Sequence, residues 1–560
     1  MADSRADLCL QQHSQMVTER SHFEKTWQEI EDRIDPMDVQ FGDGEESRIP
    51  GRQNNERVFD ATPGLALGRF KAALDSLITP RNQLWSLLKP IDGDLADDIE
   101  VKRYLEEVNR RLFAARYAAN FATEMQGCYY SGGKYGTMGL FIGEQRGRGL
   151  FYRAIPMKQL FMTENEFGVV DLVHRDFYWT ARQAYQRFGD RTPSVIKTAA
   201  EKNPGQKFRF LHVVKPRQDI DVSRQDYRGM PFVSYYIWQE SREVLEEGGF
   251  RVNPYAVGRY DLSPGEVYGR SPCMTILPDV KMLNEMNRTT IQAAQLKVLP
   301  PLLAHNDGIL DAIRLTPAAI NYGGVDDNGR QMIQPMAVGG DVNLGLEMMD
   351  QKRMVINDAL LQTLFQILVD KPNITATEAM LRAQEKGQLI GPTGSRIESE
   401  LLTPMIKREI DIMAMAGQFD DLEMPQALLD RGGLYDIEFD SPLSRARMAE
   451  GGVAVLRTFE QLAPLAAAMG PEAGAAVYKR FKVDDTAQYL AKVNGMPATL
   501  IYTDDEMAEI DAEAQQAAQV QQVLQAAPVA ASAAKDLAQA QALSATAPRG
   551  VAPDIFAGSQ

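Results

Sequence analysis

Apolar residues recur at helical spacing from the start of the chain. Residues 5–35 place Leu8, Met16, Phe23, Trp27, Ile30 and Ile34 on one amphipathic helix that stops near Pro36. A polar, glycine-containing loop spans 42–55, and a second helical run, 64–78, lies between Pro63 and Pro80. A third, 96–130, carries Arg and Glu at helix-neighbour spacing. The period then falls toward two. Segments 138–143, 150–155, 159–162 and 169–178 are short β-prone runs between turn residues, with one helix over 180–189. Strands resume at 208–215, 231–239 and 251–260, with Glu246-Glu-Gly-Gly249 as the turn between the last two. The pattern predicts an α+β body from about 95 to 265.

Helical periodicity returns at 274–299, where Val280, Leu283, Ile291, Ala294 and Val298 line up before Pro300 and Pro301 end the run. A second apolar helix is expected over 344–369, ahead of Pro372. Two helices of roughly 25 residues, each about 38 Å long, would thus flank an excursion of roughly 40 residues. That excursion holds Asp307, Asp311, Asp326, Asp327 and Asp341 against Arg314 and Arg330. Helices apolar around much of their circumference need cover on several sides, and neighbouring copies of the chain are an economical source.

The stretch 373–401 writes two capped helices around a short Gly-Pro loop. Thr375 with Glu378, and Ser395 with Glu398, each fit a capping box, in which hydroxyl and carboxylate satisfy the open amides of a helix start. Residues 435–446 read as a strand entering a Ser-Pro turn and then a long helix. Val493-Asn-Gly-Met-Pro497 is a helix stop. Asp504, Asp505, Glu506, Glu509, Asp511 and Glu513 crowd the start of a later helix, whose Ala/Gln-rich continuation suits a superficial bundle. From Pro528 the Ala/Pro/Ser composition predicts a disordered tip.

Composition narrows the classes. A 560-residue chain with 44% hydrophobic and 24% charged residues predicts a largely folded protein of three or four domain-sized units. Cys9, Cys128 and Cys273 are far apart and never form Cys-x-x-Cys, so buried reduced thiols are expected. The N-terminus lacks the apolar core of a signal peptide, and no run reaches the roughly 18 apolar residues of a membrane span, so a soluble protein without membrane association is expected. The net charge of −16 opposes a conventional phosphate-gripping nucleic-acid binder. It does not oppose a conduit: if identical subunits formed a ring, an acidic wall would repel phosphate and keep moving DNA from sticking, though many soluble enzymes are as acidic.

Catalytic motifs do not assemble. Gly127-Cys-Tyr-Tyr-Ser-Gly-Gly-Lys-Tyr135 has Cys where a phosphate loop begins with Gly and Tyr where it needs Ser or Thr, and reads as a helix-to-strand turn. His13, His22, His174, His212 and His305 are dispersed, and Asp326-Asp-Asn-Gly329 lacks the spacing and distal Glu of a calcium loop. The pairs Asp484-Asp485 and Asp504-Asp505 read more simply as helix caps than as two-metal ligands. No catalytic residue, metal site or cofactor is assigned.

In this order the parts resemble the portal, or head-to-tail connector, proteins of short-tailed phages (podoviruses). The resemblance rests on Gly136-Thr-Met-Gly-Leu-Phe-Ile142 leading to Val169-Val-Asp-Leu-Val-His-Arg175, and on the helix-excursion-helix unit. It rests also on Thr375-Ala-Thr-Glu378 with Leu389-Ile-Gly-Pro392 and Glu400-Leu-Leu-Thr-Pro404, on Phe439-Asp-Ser-Pro-Leu443, and on Asn494-Gly-Met-Pro497 before an acidic helix. It implies a predominantly helical α+β portal fold assembled as a ring, usually a dodecamer, at one capsid vertex of the virion, put together in the host cytoplasm. Residues 1–95 would be the helical part of the wing, 96–270 its α+β body, 271–299 the first stem helix, 300–343 the clip and 344–371 the second stem helix. The helix-loop-helix with the tunnel loop would occupy 372–418, the return to the wing and start of the crown 419–500, the crown helices 501–546, and a disordered tail 547–560.

The resemblance further implies double-stranded DNA packaged and ejected through the bore, with the terminase large subunit as motor, tail adaptors as later partners, and major capsid and scaffolding proteins around the wing. The channel constriction would be the loop from Lys386 to Arg396, including Gln388, Gly391, Pro392, Thr393 and Gly394. Lys386 and Arg396 could touch phosphate there or be ordinary solvated helix ends. Lys281, Arg288 and Lys297 would face the lumen or make subunit salt bridges, and Asp307, Asp311, Asp326, Asp327 and Arg330 would meet clip partners. Two rival readings stand beside it: an acidic metal-dependent hydrolase or nuclease, and another oligomeric virion scaffold ring.

Overall fold

The computed structural model describes residues 4–41, 58–81, 83–95, 98–145, 147, 149–221, 223–224, 226–304, 316, 320, 325, 328–336, 342–362, 391–440, 455–464, 481–482, 486–487 and 490. The first helix, α1 (Ser4–Arg33), follows the predicted stretch and buries Cys9, Met16, Trp27 and Ile30. Next, α2 (Thr62–Ile78) carries Pro63 in its first turn, where the missing N–H costs nothing, and buries Leu67, Phe70, Leu74 and Ile78. A short strand, β1 (Ser86–Pro90), follows.

The single helix expected over 96–130 is two: α3 (Ile99–Ala118) and α4 (Phe121–Tyr135). The Asp98 carboxylate caps α3 by accepting from the amides of Glu100 and Val101. The break falls at Asn120, whose side chain is committed elsewhere. It donates to the Tyr152 carbonyl at 2.8 Å and accepts from the Tyr152 amide at 3.0 Å.

Two antiparallel sheets follow. The strands are β2 (Thr137–Gln145), β3 (Gly149–Ala154), β4 (Leu160–Glu164), β5 (Val170–Thr180), β6 (Lys207–Pro216), β7 (Phe232–Trp238), β8 (Glu243–Phe250) and β9 (Tyr255–Arg259). They pair in the orders β3-β2-β9 and β4-β5-β6-β7-β8. Helices α5 (Ala181–Phe188) and α6 (Ser194–Lys202) are inserted between β5 and β6, and only the first was legible in the periodicity. The turn expected at Glu246-Glu-Gly-Gly249 is instead the body of β8, and the chain reverses before it, at Arg242 with φ 54°. Gly249 is needed there for closeness rather than turning, since a Cβ would lie 2.4 Å from the Tyr227 carbonyl.

The outer edge of β3 is closed by side chains. Asn120 takes both backbone groups of Tyr152, and the Glu124 carboxylate accepts from the Ala154 amide at 2.7 Å. After the sheets come α7 (Pro272–Val298), β10 (Leu302–Ala304), β11 (Ile333–Pro335) and α8 (Val342–Ala359). A π-helical turn at Glu398–Leu402 leads into α9 (Thr403–Met415), followed by α10 (Gln426–Asp430) and β12 (Tyr435–Phe439), which pairs with β1. The described residues thus mix helices with antiparallel sheet, consistent with the α+β expectation. A separate unit begins at Gly451; it holds a helix over 455–464, and the Phe459 ring lies 5.4 Å from Phe481. The helices expected from 501 and the tail from 547 lie outside the described residues.

The main core joins α2, α3, α4, α7, α8 and α9. In it lies an ion pair with no water contact: Arg116 and Glu409, both fully buried, meet at 2.5 Å. The Tyr152 hydroxyl donates to the same carboxylate, and the guanidinium lies 4.5 Å from the centres of the Trp85 and Phe113 rings. None of the three cysteines is in a disulfide and all are buried, as expected, and burial pushes the Cys273 thiol up to about 12.

His174, buried in the five-stranded sheet, is a source of acid sensitivity there. His174 on β5 is fully buried, neither ring nitrogen has a hydrogen-bond partner, and burial pushes its pKa down to about 3. The unfolded chain takes up a proton below the ordinary histidine value of about 6.5, whereas the folded chain does not until far lower, so stability is full above 6.5 and falls as pH drops. The slope is about 1.4 kcal/mol per pH unit, and His174→Leu is expected to recover about 2 kcal/mol at pH 5 relative to the parent. Denaturant unfolding of both proteins at pH 7 and pH 5, followed by tryptophan fluorescence, checks this; equal acid sensitivity would refute it.

Candidate functional site

Ser271 starts α7 by accepting from the Met274 amide at 3.0 Å, and its hydroxyl donates to the Lys134 carbonyl. The helix is then embedded for half its length. Cys273, Ile276, Leu277, Val280 and Leu283 are buried, but nothing beyond Asn284 is. Ile291, Leu296, Val298 and Leu299 are exposed, Val298 by 78% and Leu299 by 75%.

The partner helix α8 runs antiparallel to it, because Lys352 pairs with Asp279 at 2.8 Å while Gly345 faces Thr290. It buries Met349 and Ile356, one stripe at helical spacing, and leaves Leu346, Met348, Met354 and Val355 exposed. The second helix expected over 344–369 is interrupted: α8 ends at Ala359, Leu361 takes φ 60°, and Gln362 is helical again. Gln362 supplies the reason, since its buried amide donates to the Ala66 carbonyl at 3.0 Å and pulls the chain onto α2. Residues 363–370 lie outside the described residues.

Asp60 holds the helix pair where it leaves the body. Its carboxylate accepts from Arg353 Nε and Nη2 at 2.9 and 2.8 Å and from Asn287 at 2.9 Å. Burial alone would raise this carboxyl, but hydrogen bonds from Thr62 and Arg353 outweigh it and keep it below the ordinary range. At the far end, β10 and β11 form an antiparallel neck, extended by the Met336 amide donating to the Pro301 carbonyl and by a bridge between Val325 and Gln331. Among the expected clip residues, Asp307, Asp311, Asp326 and Asp327 lie outside the described residues, while Arg330 is exposed beside that bridge.

The expected Gly-Pro loop is corrected in its second half. Residues 391–397 are helical and continue through the π turn into α9, so Ser395 lies inside a helix and does not start one with Glu398. Gly391, Gly394, Ile397 and Leu401 are buried at helical spacing, and that packing overrides the loop propensity of Gly-Pro-Thr-Gly. The π turn has a local cause. Pro404 has no N–H for the Glu400 carbonyl and its ring crowds that carbonyl, so the chain widens by one residue before it. Lys386, Gln388 and the Thr375-Glu378 box lie outside the described residues.

Glu400, in the widened turn, is the centre of a clasp that periodicity could not reveal. Arg259 at the end of β9 donates to both its carboxylate oxygens at 2.9 Å, and the Arg259 amide adds a third bond at 3.0 Å. The same guanidinium pairs with Glu164 and donates to the Gly168 carbonyl, tying in the β4–β5 hairpin. Arg396 joins from one helical turn away, 3.5 Å from Asp261 and 3.9 Å from Glu400. It is therefore held within the chain rather than solvated freely. Pro392 is exposed and Thr393 half-buried.

The remaining predicted cations lie along α7. Lys281 pairs with Glu29 of α1, Arg288 is exposed with Glu285 at 4.0 Å, and Lys297 is exposed. Lys134, of the phosphate-loop-like stretch, is fully buried at the end of α4 and pairs with Asp35 at 2.7 Å, which leaves it no reach for phosphate. Among the described residues no group of three or more His, Cys, Asp or Glu is arranged to hold a metal, and no helix is long and apolar enough to cross a membrane. Asp484-Asp485 and Asp504-Asp505 lie outside the described residues.

The whole chain has relatives. Residues 6–501 match the family described as bacteriophage head to tail connecting protein. The chain is 26% identical to the portal protein of Salmonella phage epsilon15 over 550 residues, 97% of each chain. It is also 26% identical over 521 residues to the probable portal protein of Bordetella phage BPP-1, covering 91% of this chain and 92% of that one.

Proposed function

Because the chain belongs to the bacteriophage head-to-tail connecting proteins, we propose that it is a portal protein whose copies close into a ring at one capsid vertex, through which double-stranded DNA enters and leaves. The observation that carries the ring is the uncovered apolar surface on α7 and α8 beyond the point where Asp60 holds them. A head-to-tail contact that buries one copy's face against the next closes when its rotation divides a full turn, and twelve copies are the family expectation. The helix pair serves as stem, the region beyond the β10–β11 neck as clip, and the sheets as wing. The terminase motor docks at the clip during packaging and tail adaptors replace it, while capsid and scaffolding proteins meet the wing. Energy comes from that motor, so the chain itself positions and conducts.

The stretch from Lys386 to Arg396 narrows the bore in this reading. Gly391 and Gly394 support that constriction from the buried side, and Arg396, fixed by Asp261 and Glu400, sets its position relative to the wing. Lys281, already paired with Glu29, is a weaker candidate for the lumen than Arg288 and Lys297. Negative-stain images of the purified full-length protein, with sedimentation velocity, test the proposal. The expected result is a large ring with a central hole; a stable single copy, or an assembly without a hole, would overturn it.

A further inference from the structure

The α5–α6 insertion together with β6, which follows it, reverses the charge of the chain. Residues 182–217 hold nine Lys and Arg against two acids, Asp190 and Glu201, so this segment carries +7 in a protein of net −16. Some of that charge is used internally. Arg187 and Arg191 share Glu246 at 2.9 and 4.0 Å, Arg209 pairs with Asp176, and Lys197 donates to the Asp190 carbonyl. Arg182, Lys202 and Lys207 are exposed and have no carboxylate partner among the described residues. Two backbone hydrogen bonds bring their segments together: Ala181 donates to the Gln206 carbonyl at 2.8 Å and Arg182 to the Pro204 carbonyl at 3.3 Å.

Apolar surface lies on the same faces. Tyr185, one helical turn from Arg182, is 47% exposed, and Val195, two turns from Lys202 on α6, is 57% exposed. The opposite faces of both helices are anchored, with Ala181, Ala184, Phe188, Ile196 and Ala199 in one cluster with Phe208 and Phe210 of the sheet. We infer that this corner is a docking surface for an acidic segment of another protein, one that presents an apolar side chain to Tyr185 and Val195 and carboxylates to Arg182, Lys202 and Lys207. An apolar centre with an aromatic ring and a cationic rim is the anatomy of a protein interface. A DNA duplex offers a dense line of phosphates and no apolar side chain, and three cations beside exposed Tyr185 and Val195 suit it poorly. Unpaired rim charges of one sign select a partner of the other and steer its approach. The inference does not depend on ring closure.

Full-length protein carries the test. The probes are a short synthetic helical peptide with Glu and Leu along one face, its Gln-for-Glu analogue, and a short DNA duplex, each measured by fluorescence anisotropy at near-physiological salt. The Glu peptide is expected to bind and the Gln analogue to bind far more weakly. The joint variant Arg182→Gln, Lys202→Gln, Lys207→Gln is expected to lose about tenfold or more in affinity, with unchanged circular dichroism and sedimentation. Tyr185→Ala with Val195→Ser, which keeps every charge, is expected to weaken the peptide as well. Tighter binding of duplex than of peptide, no binding of the peptide, or equal peptide binding by parent and charge variant would overturn the inference. A ring that assembles normally while the peptide fails would reject this surface and leave the portal reading standing.

Discussion

Glu409→Ala is expected to destabilise the main core by about 3–5 kcal/mol, because it leaves the Arg116 guanidinium charged, buried and without its partner. The two side chains are wholly shielded from solvent, and the ring faces around Arg116 cannot replace the two bonds it makes to the carboxylate. A loss of about 3 kcal/mol raises the open population more than a hundredfold, so cleavage by a protease added in trace amounts should accelerate to match. The triple variant Arg116→Met, Glu409→Leu, Tyr152→Phe removes every member of the network and fills the same space, and is expected to lie far closer to the parent than the single change. Proteolysis rates and thermal melting of the three proteins decide the matter. If Glu409→Ala resists cleavage as the parent does, the pair contributes nothing to holding α3, β3 and α9 together.

The second large effect concerns assembly rather than folding. Val298→Asp with Leu346→Asp is expected to leave single copies folded and abolish the proposed ring, since both residues are exposed within one chain beyond the Asp60 anchor and in that ring would be covered only by the next copy. Covering each apolar side chain is worth about 1.5–3 kcal/mol, and an acid placed there must also be stripped of water. In a closed ring the defect recurs at every joint. Sedimentation velocity should show the large species replaced by single copies with an unchanged far-ultraviolet spectrum. A ring that persists would mean that these positions face solvent in the assembly and that other surfaces make the subunit contacts.

Helices whose boundaries are set by local chemistry were legible in the sequence. The extents of α1, α2 and α7 follow from apolar spacing and flanking prolines, and β2, β3 and β5 fall on the expected β-prone runs, although of these three only β3 alternates in burial. Failures occurred where a distant contact decided local structure. Asn120 leaves the helix to bind Tyr152, Leu361 turns because Gln362 is held by Ala66, and Gly391 stays helical because its side packs inward. Charge pairs across the fold were invisible for the same reason. Arg259 and Glu400 stand 141 positions apart, and nothing in either neighbourhood announces the other. The order of elements therefore carried the family resemblance, while the clasp, the Asp60 anchor and the basic α5–α6 corner had to be seen in three dimensions.

The stitched margin of β3 bears on how a chain behaves in a crowd of its own copies. With Asn120 and Glu124 occupying the backbone groups of Tyr152 and Ala154, a newly made chain offers no free ladder there for a stranger's strand to extend. Crowded precursors can then collide at that margin and separate again. At that margin only side-chain surfaces remain for contact, and such contacts can be released and tried repeatedly.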